Sequence, residues 1–208
     1  MSQENDFRRV GLFGGSFNPI HNGHVAAAKA FMEQMWLDYL FIMPTGISPH
    51  KAEDPNISPL DRLKMCELAF EGVEGIIVSD LEIRKPGKSY TVDTLRALQS
   101  DDVRLFLLCG TDMVLTLDTW REPEELFKLC YPVYVRRESD PLLDGRITEK
   151  LALYYRKFGK MVRKISMDPV RVSSSQIRDA VRAGEPIGDM VPPAVEQYIL
   201  EQGLYADE

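Results

Sequence analysis

Apolar positions along this chain change their period repeatedly. Short, nearly continuous apolar runs alternate with longer stretches in which apolar residues recur every three or four positions. The runs rich in β-branched and aromatic residues predict strands over Arg9–Gly14, Tyr39–Met43, Gly75–Ser79, Val103–Cys109, Tyr131–Arg136 and Met161–Ser166. Helical spacing predicts helices over Gly23–Trp36, Leu60–Glu71, Thr91–Gln99, Glu122–Leu129 and Ile147–Phe158, with Ser174–Ala183 and Pro193–Gln202 closing the chain. Alternating strands and helices build crossover units, so the expected fold class is α/β: a doubly wound, mostly parallel sheet flanked by helices, with a small C-terminal helical segment. The run RLFLLCG is apolar at successive positions, as a strand covered on both faces requires, and is expected to be central. Two long loops are expected, Pro44–Pro59 and Glu138–Arg146, and long loops in a compact domain tend to be functional or mobile.

Composition narrows the class. A chain of 208 residues, 44% apolar and 27% charged, suits a single globular domain over residues 1–208. Its net charge of −7 opposes general nucleic-acid binding, so any phosphate must be met by local positive charge. The segment MSQENDFRRV has no apolar leader core, and no apolar run nears the roughly 18 residues that span a bilayer. The expectation is a cytoplasmic chain with neither nucleic-acid nor membrane partners. Cys66, Cys109 and Cys130 are odd in number and sit in apolar surroundings, which predicts buried reduced thiols rather than a disulfide framework or zinc site.

The candidate chemistry begins at the first strand-to-helix turn, VGLFGGSFNPIHNGH. Such turns offer free amides and the positive end of a helix dipole to anionic ligands. Gly14 and Gly15 let the backbone approach a ligand closely, amides from Ser16 onward line a phosphate pocket, and Asn22 is the expected helix cap. His21 and His24 then project from the loop and first turn on one side, suited to gripping one anionic group. The spacing is neither the dinucleotide-binding glycine fingerprint nor a P-loop. A second anion site is expected in VSSSQIRDAV, where Ser173 and Gln176 have capping-box spacing and Arg178 follows on the first turn.

GGSFNPIHNGH resembles the GGTFDPIHxGH signature of the nucleotidylyltransferase superfamily, with Ser16 for threonine and Asn18 for aspartate. VSSSQIR is similar to its ISSTxIR motif, with Val172 for isoleucine and Ser175 for threonine. PTGISPHK, with His50 and Lys51, looks like the PxxxPPHK loop of the bacterial-type nicotinate-nucleotide adenylyltransferase branch. SYTVDTL and GTDMVLTLDTW look like that branch's SYTxDTL and GxDxLxxLxxW segments, while Arg136 matches an arginine that reaches the acceptor phosphate, followed here by Arg137 instead of proline. The resemblance implies a Rossmann-like fold. It implies that His21, His24 and Arg178 act on the triphosphate, with Gly14, Gly15, Ser16, Phe17, Asp112, Ser174 and Ser175 binding ATP. It also implies that Asn18, His50, Lys51, Tyr90, Thr91, Trp120 and Arg136 bind the mononucleotide.

The implied activity is transfer of AMP from ATP to nicotinate mononucleotide, releasing pyrophosphate, with Mg²⁺ arriving on ATP and no metal site of the protein's own. The partners are then ATP and nicotinate mononucleotide, with a homo-oligomer left open. Other acceptors (nicotinamide mononucleotide, pantetheine phosphate, a glycerol phosphate) and a non-catalytic nucleotide-sensing protein are the alternatives.

Overall fold

The computed structural model describes residues 7–48, 57–136 and 141–206. Six strands, β1 (Arg8–Gly15), β2 (Tyr39–Pro44), β3 (Ile76–Val78), β4 (Val103–Cys109), β5 (Cys130–Val135) and β6 (Arg163–Ile165), form one parallel sheet in the order β3-β2-β1-β4-β5-β6. This is the order of a doubly wound nucleotide-binding sheet. β4 spans Val103–Cys109 as its apolar pattern predicts and lies inside the sheet between β1 and β5; five consecutive residues, Leu105 to Cys109, are buried.

The helices are α1 (Asn22–Gln34), α2 (Pro59–Ala69), α3 (Leu81–Arg84), α4 (Thr91–Leu98), α5 (Thr111–Val114), α6 (Pro123–Leu129), α7 (Pro141–Phe158), α8 (Ser174–Arg182) and α9 (Pro193–Glu201). Three differ from expectation. α7 starts at Pro141 and absorbs most of the loop expected over Glu138–Arg146. Proline is well suited to a first helical position; the helix runs on through Gly145, where an added Cβ would meet only open space, so glycine costs about 1 kcal/mol relative to alanine. α3 and α5, four residues each, are too short to display a period and were not expected.

The chain divides into two compact units, one from Met1–Phe13, Ala30–Phe41 and Tyr90–Met167, the other from Gly14–Lys29, Ile42–Ser89 and Asp168–Glu208. In the first, α4 and α6 pack on each other, and Tyr154 is wholly buried with its hydroxyl donating to the Val114 carbonyl at 2.7 Å and to Asp118 at 3.2 Å. A methyl group on Gly11 would come within 2.5–2.9 Å of Leu37, Leu40 and Phe31, so the glycine permits close packing there. In the second, Ser58 and Asp61 form the capping box that starts α2, and α2 packs against α9. Cys66, Cys109 and Cys130 are free and buried as expected; desolvation pushes the Cys130 thiol up to about 12 and raises the other two further.

Candidate active site

β1 ends at Gly15, and the chain turns through Ser16–His21 before α1 begins. His21 is 1% exposed and its Nδ1 accepts the His24 backbone N–H at 3.3 Å, beside the His21 carbonyl, which accepts the same amide at 2.8 Å. The cap of α1 is therefore the His21 ring. Asn22, expected in that role, is already the first helical residue, and its Nδ2 instead donates to the Asp189 carbonyl at 3.0 Å. With Nδ1 accepting, a neutral His21 ring carries its proton on Nε2, which makes that atom the donor. The His24 ring stacks on it with centroids 3.6 Å apart, and the Phe17 ring meets His24 edge-on at 5.1 Å. Phe17 is buried with a left-handed φ of 46°. A methyl at Gly15 would press on the Phe17 ring at 3.2 Å, and one at Gly14 would make only ordinary contact at 3.9 Å.

The second predicted anion site lies in the same unit and is tied to this loop. Ser173 caps α8 by accepting the Gln176 amide at 3.3 Å, while its hydroxyl donates to the Gln176 side chain at 3.0 Å. The next residues reach back across the sequence: Ser174 Oγ donates to the Pro19 carbonyl at 2.9 Å, and Arg178 donates to the Asn18 carbonyl at 2.7 Å and to Ser175 Oγ at 3.2 Å. Imidazole rings, a guanidinium, serine hydroxyls and a helix start thus gather on one loop. That donor set suits a polyanion rather than a metal ion. Among the described residues, no group of three or more His, Cys, Asp or Glu side chains could hold a metal.

Two residues of this unit were not singled out by the sequence. Arg62 on α2 is 8% exposed, and its guanidinium donates to the carbonyls of Ser16 at 2.7 Å, Thr45 at 2.7 Å and Gly46 at 3.2 Å. It clamps the turn after β1 to the turn after β2. Gly46 is required beside it, because a Cβ there would lie 2.3 Å from the Glu82 carbonyl oxygen. Tyr205, 6% exposed, donates from its hydroxyl to Asn18 Oδ1 at 2.7 Å. A lone arginine in a helix and a tyrosine near the C-terminus carry no local signal of such distant partners.

The remaining described candidates, Tyr90, Thr91, Asp112, Trp120 and Arg136, belong to the other unit. Tyr90 is the residue before α4, partly buried, with the Arg121 guanidinium 4.5 Å from its ring centroid; Thr91 opens the helix. Trp120 is held by its indole N–H donating to Thr116 Oγ1 at 3.3 Å. Arg136, at the end of β5, pairs with the Asp144 carboxylate on the first turn of α7. Asp112 is exposed on α5, and a Cβ on Gly110 would come within 2.9 Å of its carboxylate, so glycine there leaves room for the aspartate. His50 and Lys51 lie outside the described residues.

Strand order together with a glycine-bearing turn at the carboxyl end of β1 defines the class, a Rossmann-like α/β protein. A Cytidylyltransferase-like family model matches residues 12–180. A probable nicotinate-nucleotide adenylyltransferase of Synechococcus sp. (strain JA-3-3Ab) is 37% identical over 203 residues, covering 96% of both chains. One from Pseudomonas fluorescens is 37% identical over 211 residues, covering 95% of this chain and 97% of the relative. The chain belongs to the nicotinate-nucleotide adenylyltransferase family. Its fold matches that of Plasmodium falciparum nicotinic acid mononucleotide adenylyltransferase complexed with NaAD, with a TM-score of 0.73 at 19% identity over 95% of this chain and 97% of that one.

Proposed function

We propose that this chain transfers AMP from ATP to nicotinate mononucleotide, forming nicotinate adenine dinucleotide and pyrophosphate, a step of NAD biosynthesis in the cytoplasm. The observation that carries the chemistry is the gathering of His21, His24, Ser174, Ser175 and Arg178 around the Asn18–His21 turn, although the two motifs are some 150 residues apart in sequence. Membership of the family supports the choice of acceptor.

A phosphate oxygen of nicotinate mononucleotide attacks the α-phosphorus of ATP; the new P–O bond forms as the bond to the bridging oxygen breaks, and pyrophosphate leaves with that electron pair. Such a transfer needs alignment and charge stabilisation more than a protein nucleophile. His21 Nε2 and the His24 ring donate to the α-phosphate, where negative charge builds. The start of α8, with Ser174, Ser175 and Arg178, holds the β- and γ-phosphates, while the backbone from Gly14 to Phe17 lies along the nucleotide and Asp112 accepts from a ribose hydroxyl. The substrate is MgATP, with the ion keeping phosphate and water oxygens as ligands.

Trp120 presents an aromatic face to the pyridine ring, Tyr90 and Thr91 line its pocket, and His50, Lys51 and Arg136 meet the mononucleotide's charges. The chain acts on small molecules and does not need a nucleic-acid or membrane partner. Among the described residues no helix is long and apolar enough to cross a membrane. Incubation with MgATP and nicotinate mononucleotide, followed by chromatography, is expected to give the dinucleotide and pyrophosphate in equal amounts. Failure of both products to appear overturns the proposal.

A further inference from the structure

Asn18 stands where the family signature has a carboxylate, and it is held from two directions. Its backbone carbonyl accepts from Arg178 at 2.7 Å, and its side-chain oxygen accepts the Tyr205 hydroxyl at 2.7 Å. Tyr205 is 6% exposed and sits past the end of α9 with a left-handed φ of 68°, a conformation that costs a non-glycine residue energy and persists where surrounding contacts over-determine it. The buried phenol is aimed into the turn three residues before His21, which in turn caps α1 and stacks on His24.

We infer that Tyr205 is a positioning residue for adenylyl transfer. Its hydroxyl fixes the Asn18 side chain, Arg178 fixes the Asn18 main chain, and together they set the turn that presents the His21 and His24 rings. The partner of residue 18 is a neutral phenol O–H, which needs one acceptor oxygen and no charge, so an amide serves as well as a carboxylate would. Asn18 then acts by holding the turn. Its kinetic meaning rests on the proposed reaction, and its geometry on the two hydrogen bonds that hold Asn18.

A second tyrosine provides the control. Tyr198, on α9, donates to Asp61 Oδ1 at 2.9 Å and so ties α9 to the first turn of α2 without reaching the signature turn. Tyr205→Phe, Tyr198→Phe, Asn18→Ala and the double variant Tyr205→Phe/Asn18→Ala are compared for kcat, for KM of both substrates and for thermal unfolding. Tyr205→Phe is expected to lower kcat about threefold to tenfold, the size of one lost hydrogen bond, with circular dichroism unchanged. The double variant should be no slower than Asn18→Ala, because the two groups act as one unit. Tyr198→Phe should lower the unfolding temperature while keeping the wild-type kcat.

Ring ¹H–¹⁵N spectra give a readout independent of turnover, since the chain has only 3 histidines. Tyr205→Phe should shift the His21 and His24 signals, and Tyr198→Phe should leave them in place. A Tyr205→Phe protein with wild-type kcat and unmoved histidine signals overturns the inference, as do effects of the two single variants that multiply in the double. If the wild-type protein makes no dinucleotide, the proposed reaction falls, and the histidine spectra alone decide the positioning role.

Discussion

The phosphate-side and pyridine-side candidates differ in the reach of the ties identified for them. Around His21 and His24, the fixing bonds come from far along the chain: Ser174 to Pro19, Arg178 to Asn18 and Tyr205 to Asn18 span 155 to 187 residues. Tyr90, Trp120 and Arg136 take their identified partners from residues within about thirty positions, namely Arg121, Thr116 and Asp144. The chemistry of phosphoryl transfer tolerates little error in alignment, and long-range ties make the turn part of a cooperative core. In the proposed reaction the pyridine-side residues select the acceptor, a choice that single substitutions can remodel. The comparison predicts that variants on the phosphate side lose kcat, while those on the pyridine side change which acceptor is used.

The sharpest break should come at the histidines. His24→Ala removes one preorganised donor and is expected to cost about 2–4 kcal/mol of transition-state stabilisation, roughly a 30- to 1000-fold fall in kcat, with the fold intact by circular dichroism. Near-normal turnover would remove His24 from the mechanism. Next in size is Arg62→Met, which strips the donor from three carbonyls in the buried clamp. It should cost about 2–4 kcal/mol of stability, seen as a fall of about 5–12 °C in Tm. The ATP chemistry should weaken with it, since the clamped turn carries Ser16.

Trp120→Ala tests the other side. Loss of ring stacking is expected to raise KM for the mononucleotide by about 1–2 kcal/mol, roughly five- to thirtyfold, with KM for ATP nearly unchanged. An equal rise for both substrates would erase the division between the regions. The smallest effect is a pH signature in the Trp120 unit. Burial alone would raise the Asp118 carboxyl, but hydrogen bonding to Lys150 at 2.7 Å, its charge, and the Tyr154 hydroxyl outweigh that and hold it below the ordinary carboxylate range. A carboxyl lowered on folding stabilises the protein above its unfolded value, about 4, and that contribution is lost as pH falls through the lower folded value. Lys150→Met should therefore lower Tm modestly at pH 7, and the gap to wild type should close under acid as Asp118 becomes protonated.

How much of this the sequence carried depends on the range of the forces involved. β4 was legible to the residue because a strand covered on both faces leaves an unbroken apolar run. α8 was legible at its start because Ser173 caps it locally. For α7 the sequence predicts a start at Ile147, six residues late: Gly145 and the polar stretch around it look like a loop, yet the helix continues through them. The cap of α1 was misassigned because asparagine is the usual cap by preference, whereas here the preceding His21 ring takes the amide and Asn22 turns to Asp189. Arg62 and Tyr205 left no trace in periodicity or motif, since their partners are main-chain carbonyls and a side-chain amide 16 to 187 residues away. Local chemistry is written in local sequence; the clamps that orient it are set by the tertiary fold.

The most direct test of the central claim is side-by-side turnover with the two pyridine mononucleotides at equal concentration, following pyrophosphate release from MgATP. The account predicts rapid release with nicotinate mononucleotide and slower release with nicotinamide mononucleotide. No release with either would contradict it, and a clear preference for the amide would contradict the assignment of the acceptor.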